Sequence, residues 1–138
     1  MPVRTKIEIS PALVRRVSGL DDLARILFPD NRNHAKTFVA IWLEIKYADR
    51  QFLASATNLT SRYNLSSRSL EIVRAKMKKL GMIRRISHLD PAFGHRSGWT
   101  FSPRIGSALR GLAEHLRAAK TRLHETNEQK DRASLQFV

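Results

Sequence analysis

Between Ser66 and Gly81 the chain carries the start signal, the apolar stripe and the stop signal of one helix. Ser66 suits an N-cap, because its hydroxyl can accept from N–H groups that a helix start leaves without partners. With Ser66 as cap, Leu65 and Leu70 occupy the two positions of a hydrophobic staple. Leu70, Val73, Met77 and Leu80 recur at the three-and-four spacing of a single helix face. Gly81 then accepts the left-handed backbone of a helix end, and Met82 is placed to touch Met77 as in a Schellman motif. Upstream, Asn64 tolerates the backbone of a sharp turn. Before it a short helix holds Leu59 and Tyr63, with Ser55 as its N-cap. The pattern predicts two helices joined by a tight turn.

The flanking segments extend this unit. Ser10-Pro11 opens a short helix carrying Leu13, Val14 and Val17, and a second carries Leu20, Leu23 and Leu27 behind Asp21 and Asp22. Phe28-Pro29-Asp30-Asn31 closes it. From about Ala35, Phe38, Ile41, Trp42, Ile45 and Ala48 mark the strongest helix face in the chain. Gln51-Phe52-Leu53 fits only a brief strand. Ile83 to Ser87 and Trp99 to Ser102 read as a β-hairpin around a long loop, His88 to Gly98. From Pro103 a last helix begins, and residues 125–138, without apolar rhythm, read as a mobile tail. The expected fold is mostly α with a small β-hairpin, divided as 1–30, 31–103, 104–124 and 125–138.

Charge limits the range of partners. The chain has 138 residues with 25 Lys and Arg against 12 Asp and Glu, a net charge of +13. Residues 51–110 hold 11 of the basic groups and only 2 acidic ones. Such concentration points to a polyanion, nucleic acid before an anionic membrane surface. There is no cysteine, which excludes disulfides, thiolate nucleophiles and cysteine metal sites. The longest apolar run, Phe38 to Leu43, is far short of the roughly 18 residues of a membrane span. With no apolar leader at its start, the sequence fits a cytoplasmic address.

The stretch Leu59-Thr60-Ser61-Arg62-Tyr63-Asn64-Leu65-Ser66-Ser67-Arg68-Ser69-Leu70, followed by Met77-Lys78-Lys79-Leu80-Gly81-Met82-Ile83-Arg84-Arg85, resembles the winged helix-turn-helix family over about residues 35–102. It looks most like MarR- or GntR-type regulators and the replication initiators of phages and plasmids. Thr60 departs from the small Ala usual at its position, and Glu71 puts an acid on the exposed front of the second helix. The resemblance implies a recognition helix over about 66–80 entering the major groove and a basic wing over about 84–99. On the outward face, Arg68 is suited to read a guanine, Glu71 a cytosine amine and Ile72 a thymine methyl. Ser66, Ser67, Ser69, Ala75, Lys76 and Lys79 share that face or its start. Arg84 and Arg85, with Ser55, Thr57 and Arg62 on the supporting helix, are expected at phosphates. His95 and Arg96, at a glycine-flanked loop tip, are expected to reach a minor groove or neighbouring backbone.

Other features take structural readings. Trp42 lies on an apolar stripe and Trp99 begins a strand, so both are expected in the core rather than stacked on bases. His34, His88, His95, His115 and His124 show no ligand spacing, and no nucleophile or phosphate-loop motif appears, so neither a metal, a cofactor nor catalysis is expected. Ile105, Leu109, Leu112, Leu116, Ala119 and Leu123 step by 4, 3, 4, 3, 4, the spacing of a coiled-coil seam. That predicts a homodimer through this helix. Sequence-specific binding of double-stranded DNA in transcription regulation leads the functional readings. Replication or plasmid maintenance is the alternative, and a protein-interaction winged helix without DNA is the third.

Overall fold

The computed structural model of the chain describes residue 7, residues 9–121 and residues 125–138. It is mostly helical with a small three-stranded antiparallel sheet, and it divides into two compact units, Met1–Pro103 and Arg104–Val138. The first unit opens with α1 (Pro11–Arg15) and α2 (Leu20–Leu27). Ser10 caps α1 by accepting from the Leu13 N–H at 3.2 Å, with Pro11 in the first turn. At α2 the Asp22 carboxylate accepts from the N–H and the hydroxyl of Ser18, both at 3.1 Å. These bonds, from the Ser18 backbone first, hold the Asp22 carboxyl below its usual range.

α3 (Arg32–Lys46) starts three residues earlier than the apolar spacing indicates. Asn31, read as the end of the preceding turn, is its N-cap: the side-chain oxygen accepts from the His34 N–H at 3.0 Å. Beyond α3, Arg50 and Gln51 adopt left-handed backbone, φ 57° and 52°, a conformation that costs non-glycine residues energy. The Thr100 hydroxyl bonds the Gln51 carbonyl at 2.7 Å across this turn. The chain then passes into β1 (Phe52–Leu53), α4 (Leu59–Arg62), α5 (Ser67–Leu80), β2 (Ile83–Ile86) and β3 (Gly98–Phe101).

β3 lies in the middle of the sheet, in the order β1-β3-β2, so the brief first strand joins the expected hairpin. Phe52 pairs with Thr100 and Leu53 with Trp99, while Arg85 faces Trp99 and Ile86 faces Gly98 on the other side. Gly98 is required where β1 crosses: a Cβ there would stand 2.5 Å from the Leu53 carbonyl and from the Phe52 ring. α3 packs on α2 and on α5. Phe38, Ile41 and Ile45 of α3, Val73 and Met77 of α5, and Ile83 and Ile86 of the sheet are almost fully buried. Each such side chain contributes about 1.5–3 kcal/mol relative to exposure.

Two expectations are corrected here. Lys76, read as an outward contact on α5, turns along the flank of the helix: its ammonium donates to the Leu27 carbonyl at 2.7 Å and sits 4.2 Å from the centre of the Phe28 ring. The end of α2 offers a carbonyl and an aromatic face within reach of a four-carbon stem, so the cation ties α2 to α5. The stretch 125–138, read as a mobile tail, forms α7 (Glu125–Ala133) and a 3-10 turn, Ser134–Phe137. Helix-favouring Glu, Gln, Lys, Arg and Ala supply six of the nine residues of α7, and Arg132 pairs with Glu128 one turn back at 2.8 Å, so it forms without an apolar stripe.

In the second unit α6 (Arg104–Ala119) carries the heptad residues. Leu109, Leu112 and Leu116 are 52–56% exposed and Ile105 is half-buried; Leu123 lies outside the described residues. No helix among the described residues is long and apolar enough to cross a membrane. Replacing Lys76 with Ala is expected to lower the unfolding free energy by about 1–2 kcal/mol, read by denaturant titration, since a charged hydrogen bond and a cation–π contact are both lost.

Candidate nucleic-acid interface

α5 is held at both ends by the local chemistry its sequence carries. Ser66 Oγ accepts from the Ser69 N–H at 3.0 Å, and Asn64 takes the left-handed turn, φ 54°. At the far end Gly81 has φ 83°, its N–H bonds the Lys78 carbonyl at 3.1 Å, and the Met82 N–H bonds the Met77 carbonyl at 2.9 Å. These two bonds are the Schellman pair. Fixed ends and the buried Leu70-Val73-Met77 stripe leave one face of the helix to solvent. Ser67, Arg68, Glu71, Ile72, Ala75 and Lys79 are all exposed there, and Ser69 is half-buried at the edge. Ile72 is 42% exposed, an apolar contact point among polar groups. No salt bridge among the described residues joins Glu71 to Arg68. A polar cleft of about 380 Å³, lined by Asn33, Lys36, Asn64, Ser66 and Ser69, opens beside the start of α5.

The supporting segment differs from expectation. α4 is a single turn beginning at Leu59, so Ser55 does not cap it. Ser55 Oγ instead meets Thr57 Oγ1 at 2.8 Å and accepts from the Thr57 N–H, building the exposed turn ahead of the helix. Arg62, expected at a phosphate, pairs with Glu44 of α3 at 2.9 Å. Tyr63 donates to the same carboxylate oxygen, its hydroxyl 2.6 Å from Glu44 Oε1. Glu44 thus clamps α4 to α3 and takes up the charge of Arg62. Sequence spacing did not reveal it, because the pair is separated by 18 residues.

The hairpin separates two cations that are neighbours in sequence. Side chains alternate along a strand, so Arg84 and Arg85 leave β2 on opposite faces of the sheet. Arg85 shares the face of its cross-strand partner Trp99 and lies over that ring at 5.4 Å; Arg84 faces Thr100. Arg74, on the flank of α5, lies over the same indole at 5.2 Å. Trp99 itself is buried, as expected of a core residue, and half-buried Trp42 packs between Phe38 and Phe101 at 5.6 and 4.5 Å. Arg74 went unnoticed in the sequence; its position four residues after Leu70 places it beside the buried stripe, which is the signal available.

The loop between β2 and β3 does not extend as a free tip. Phe93, in a 3-10 turn, stacks on Phe52 with ring centres 5.2 Å apart, and the Arg96 guanidinium lies over Phe52 at 4.8 Å. His95 turns through left-handed backbone, φ 56°, and remains exposed. The apolar ring of β1, which the short strand leaves uncovered, draws the loop back. Asp90 steadies its start by accepting from the Ala92 N–H at 2.9 Å. Among the described residues no three acidic or histidine side chains gather to hold a metal ion.

Compared with known proteins, the chain matches no family profile, no curated relative and no solved structure.

The bond to the Glu44 carboxylate, then burial, raises the Tyr63 hydroxyl above its ordinary value near 10. Its contribution to stability is therefore complete below pH of about 10 and is lost as the pH climbs through the raised native value. In a Tyr47→Phe chain, where Tyr63 is the one remaining tyrosine, absorbance titration is expected to give a midpoint above about 10. Adding Glu44→Gln is expected to lower it.

Proposed function

We propose that the chain binds double-stranded DNA sequence-specifically through a winged helix-turn-helix and acts in transcription regulation. The observation that carries this reading is the solvent-exposed front of α5, with Arg68, Ile72, Ala75 and Lys79 presented on a helix whose back is fully packed. A helix of this width fits the major groove, and residues on its front meet base edges. The order of elements from α3 to β3, the strand order β1-β3-β2 and the basic excess of residues 51–110 support the same reading. Arg68 has a planar fork matching two acceptors on guanine, and Ile72 a methyl surface for thymine. Ser67 and the N-terminal turn of α5 suit a phosphate.

DNA affinity is expected to fall steeply with salt, by a log–log slope of about 0.9 per phosphate neutralised. Arg68→Ala is expected to relax base preference at one position at a cost of about 1–3 kcal/mol, whereas Lys79→Ala weakens all sequences alike. A flat salt response sinks the reading and leaves a protein-interaction module. Mapping bound genomic sites decides between promoters and an origin with repeats.

The exposed leucines of α6 support a second copy of the chain as partner. Their spacing repeats every seven residues, and Gly106, Ala108 and Ala113 beside them allow close approach, while the Glu114–Arg117 pair lies away from the seam. A symmetric pair would set two recognition helices about 34 Å apart on a palindromic site. Leu112→Glu is expected to convert dimer to monomer in sedimentation and to abolish preference for paired half-sites. A monomeric native chain at high concentration overturns the pairing.

A further inference from the structure

Among the described residues four arginines meet a carboxylate: Arg25 with Asp22, Arg62 with Glu44, Arg117 with Glu114 and Arg132 with Glu128. Arg74 and Arg85 differ. They come from two elements, α5 and β2, yet their guanidinium centres lie within 5.4 Å of the centre of one indole, Trp99. Among the described residues neither makes a salt bridge. Two like charges brought to one ring repel each other, and the cation–π attraction of each to Trp99 offsets that repulsion without cancelling either charge. Among the described residues no hydrogen bond takes up the N–H donors of either guanidinium, so they stay available.

The position is informative. Arg74 lies half-buried on the flank of α5 next to Trp99 of the sheet, and Arg85 is exposed on β2. When a helix occupies a major groove, its front meets bases and its flanks run beside the phosphate strands. On the opposite flank Lys76 is tied to Leu27 and Phe28, so the two flanks are not equivalent. Building on the DNA-binding reading, we infer that Trp99 is a platform that presents Arg74 and Arg85 together as a clamp for the phosphodiester backbone of duplex DNA. The two arginines touch phosphate; Trp99 is a positioning residue and touches no base. The flank bearing the clamp fixes the register of α5 along the groove, since phosphate contacts set orientation without reading sequence.

The test measures affinity of the full chain for duplex DNA across salt concentrations, with Lys79→Ala as the reference variant. Arg74→Gln and Arg85→Gln are each expected to weaken binding to all sequences alike, by about fivefold or more, and to reduce the salt slope. The double variant is expected to lose less than the product of the two single losses, because the pair acts as one unit. Trp99→Leu keeps both charges but is expected to reproduce the double variant, with Trp99→Phe restoring part of the affinity. Circular dichroism reports folding of each variant, and the surface arginine variants decide the outcome should Trp99→Leu fail to fold. Wild-type affinity and slope in Arg74→Gln, while Lys79→Ala is weakened, would overturn the clamp alone. Salt-independent binding by the native chain would overturn the clamp and the DNA-binding reading together.

Discussion

The contact between α3 and α5 is the constraint on which the rest of the first unit depends. Phe38, Ile41 and Ile45 on one helix meet the stripe of Leu70, Val73 and Met77 on the other, with almost no exposure left to any of them. Interiors are packed densely enough that a helix so buried has little freedom to roll about its axis. Which residues of α5 face solvent is therefore decided from behind. Any loss of volume in that contact would disturb the presented face before it disturbed the secondary structure.

The ends of α5 were legible in the sequence because their causes are local. A serine cap, an asparagine in a left-handed turn and a glycine stop act within a few residues of the chain they shape, and each occurs where its residue type indicates. The apolar stripes of α3 and α5 were legible for the same reason: periodicity is a property of one segment. Asn31 shows the limit of this. Its residue type fits either the end of a turn or the start of a helix, and the bond to the His34 N–H decides for the start.

What could not be read depends on distant partners. Nothing near Arg62 in sequence announces Glu44, and nothing near Lys76 announces the carbonyl of Leu27. Cations that look alike in a basic segment thereby come to differ: some tie elements together, some lie over aromatic rings, and others are exposed on the front of α5. Arg84 and Arg85 are the sharpest case, since adjacency in sequence becomes separation across a pleated strand. The tail over 125–138 was missed for another reason. A helix without an apolar stripe has no periodic signature, and side-chain pairs such as Glu128–Arg132 betray it.

The contacts of Phe93 and Arg96 with Phe52 bear on the conformational freedom of the loop. The eleven-residue connection between β2 and β3, residues 87–97, would ordinarily sample many conformations. Pinned to β1, it surrenders much of that freedom during folding. The same pinning shortens the reach of the loop from the sheet.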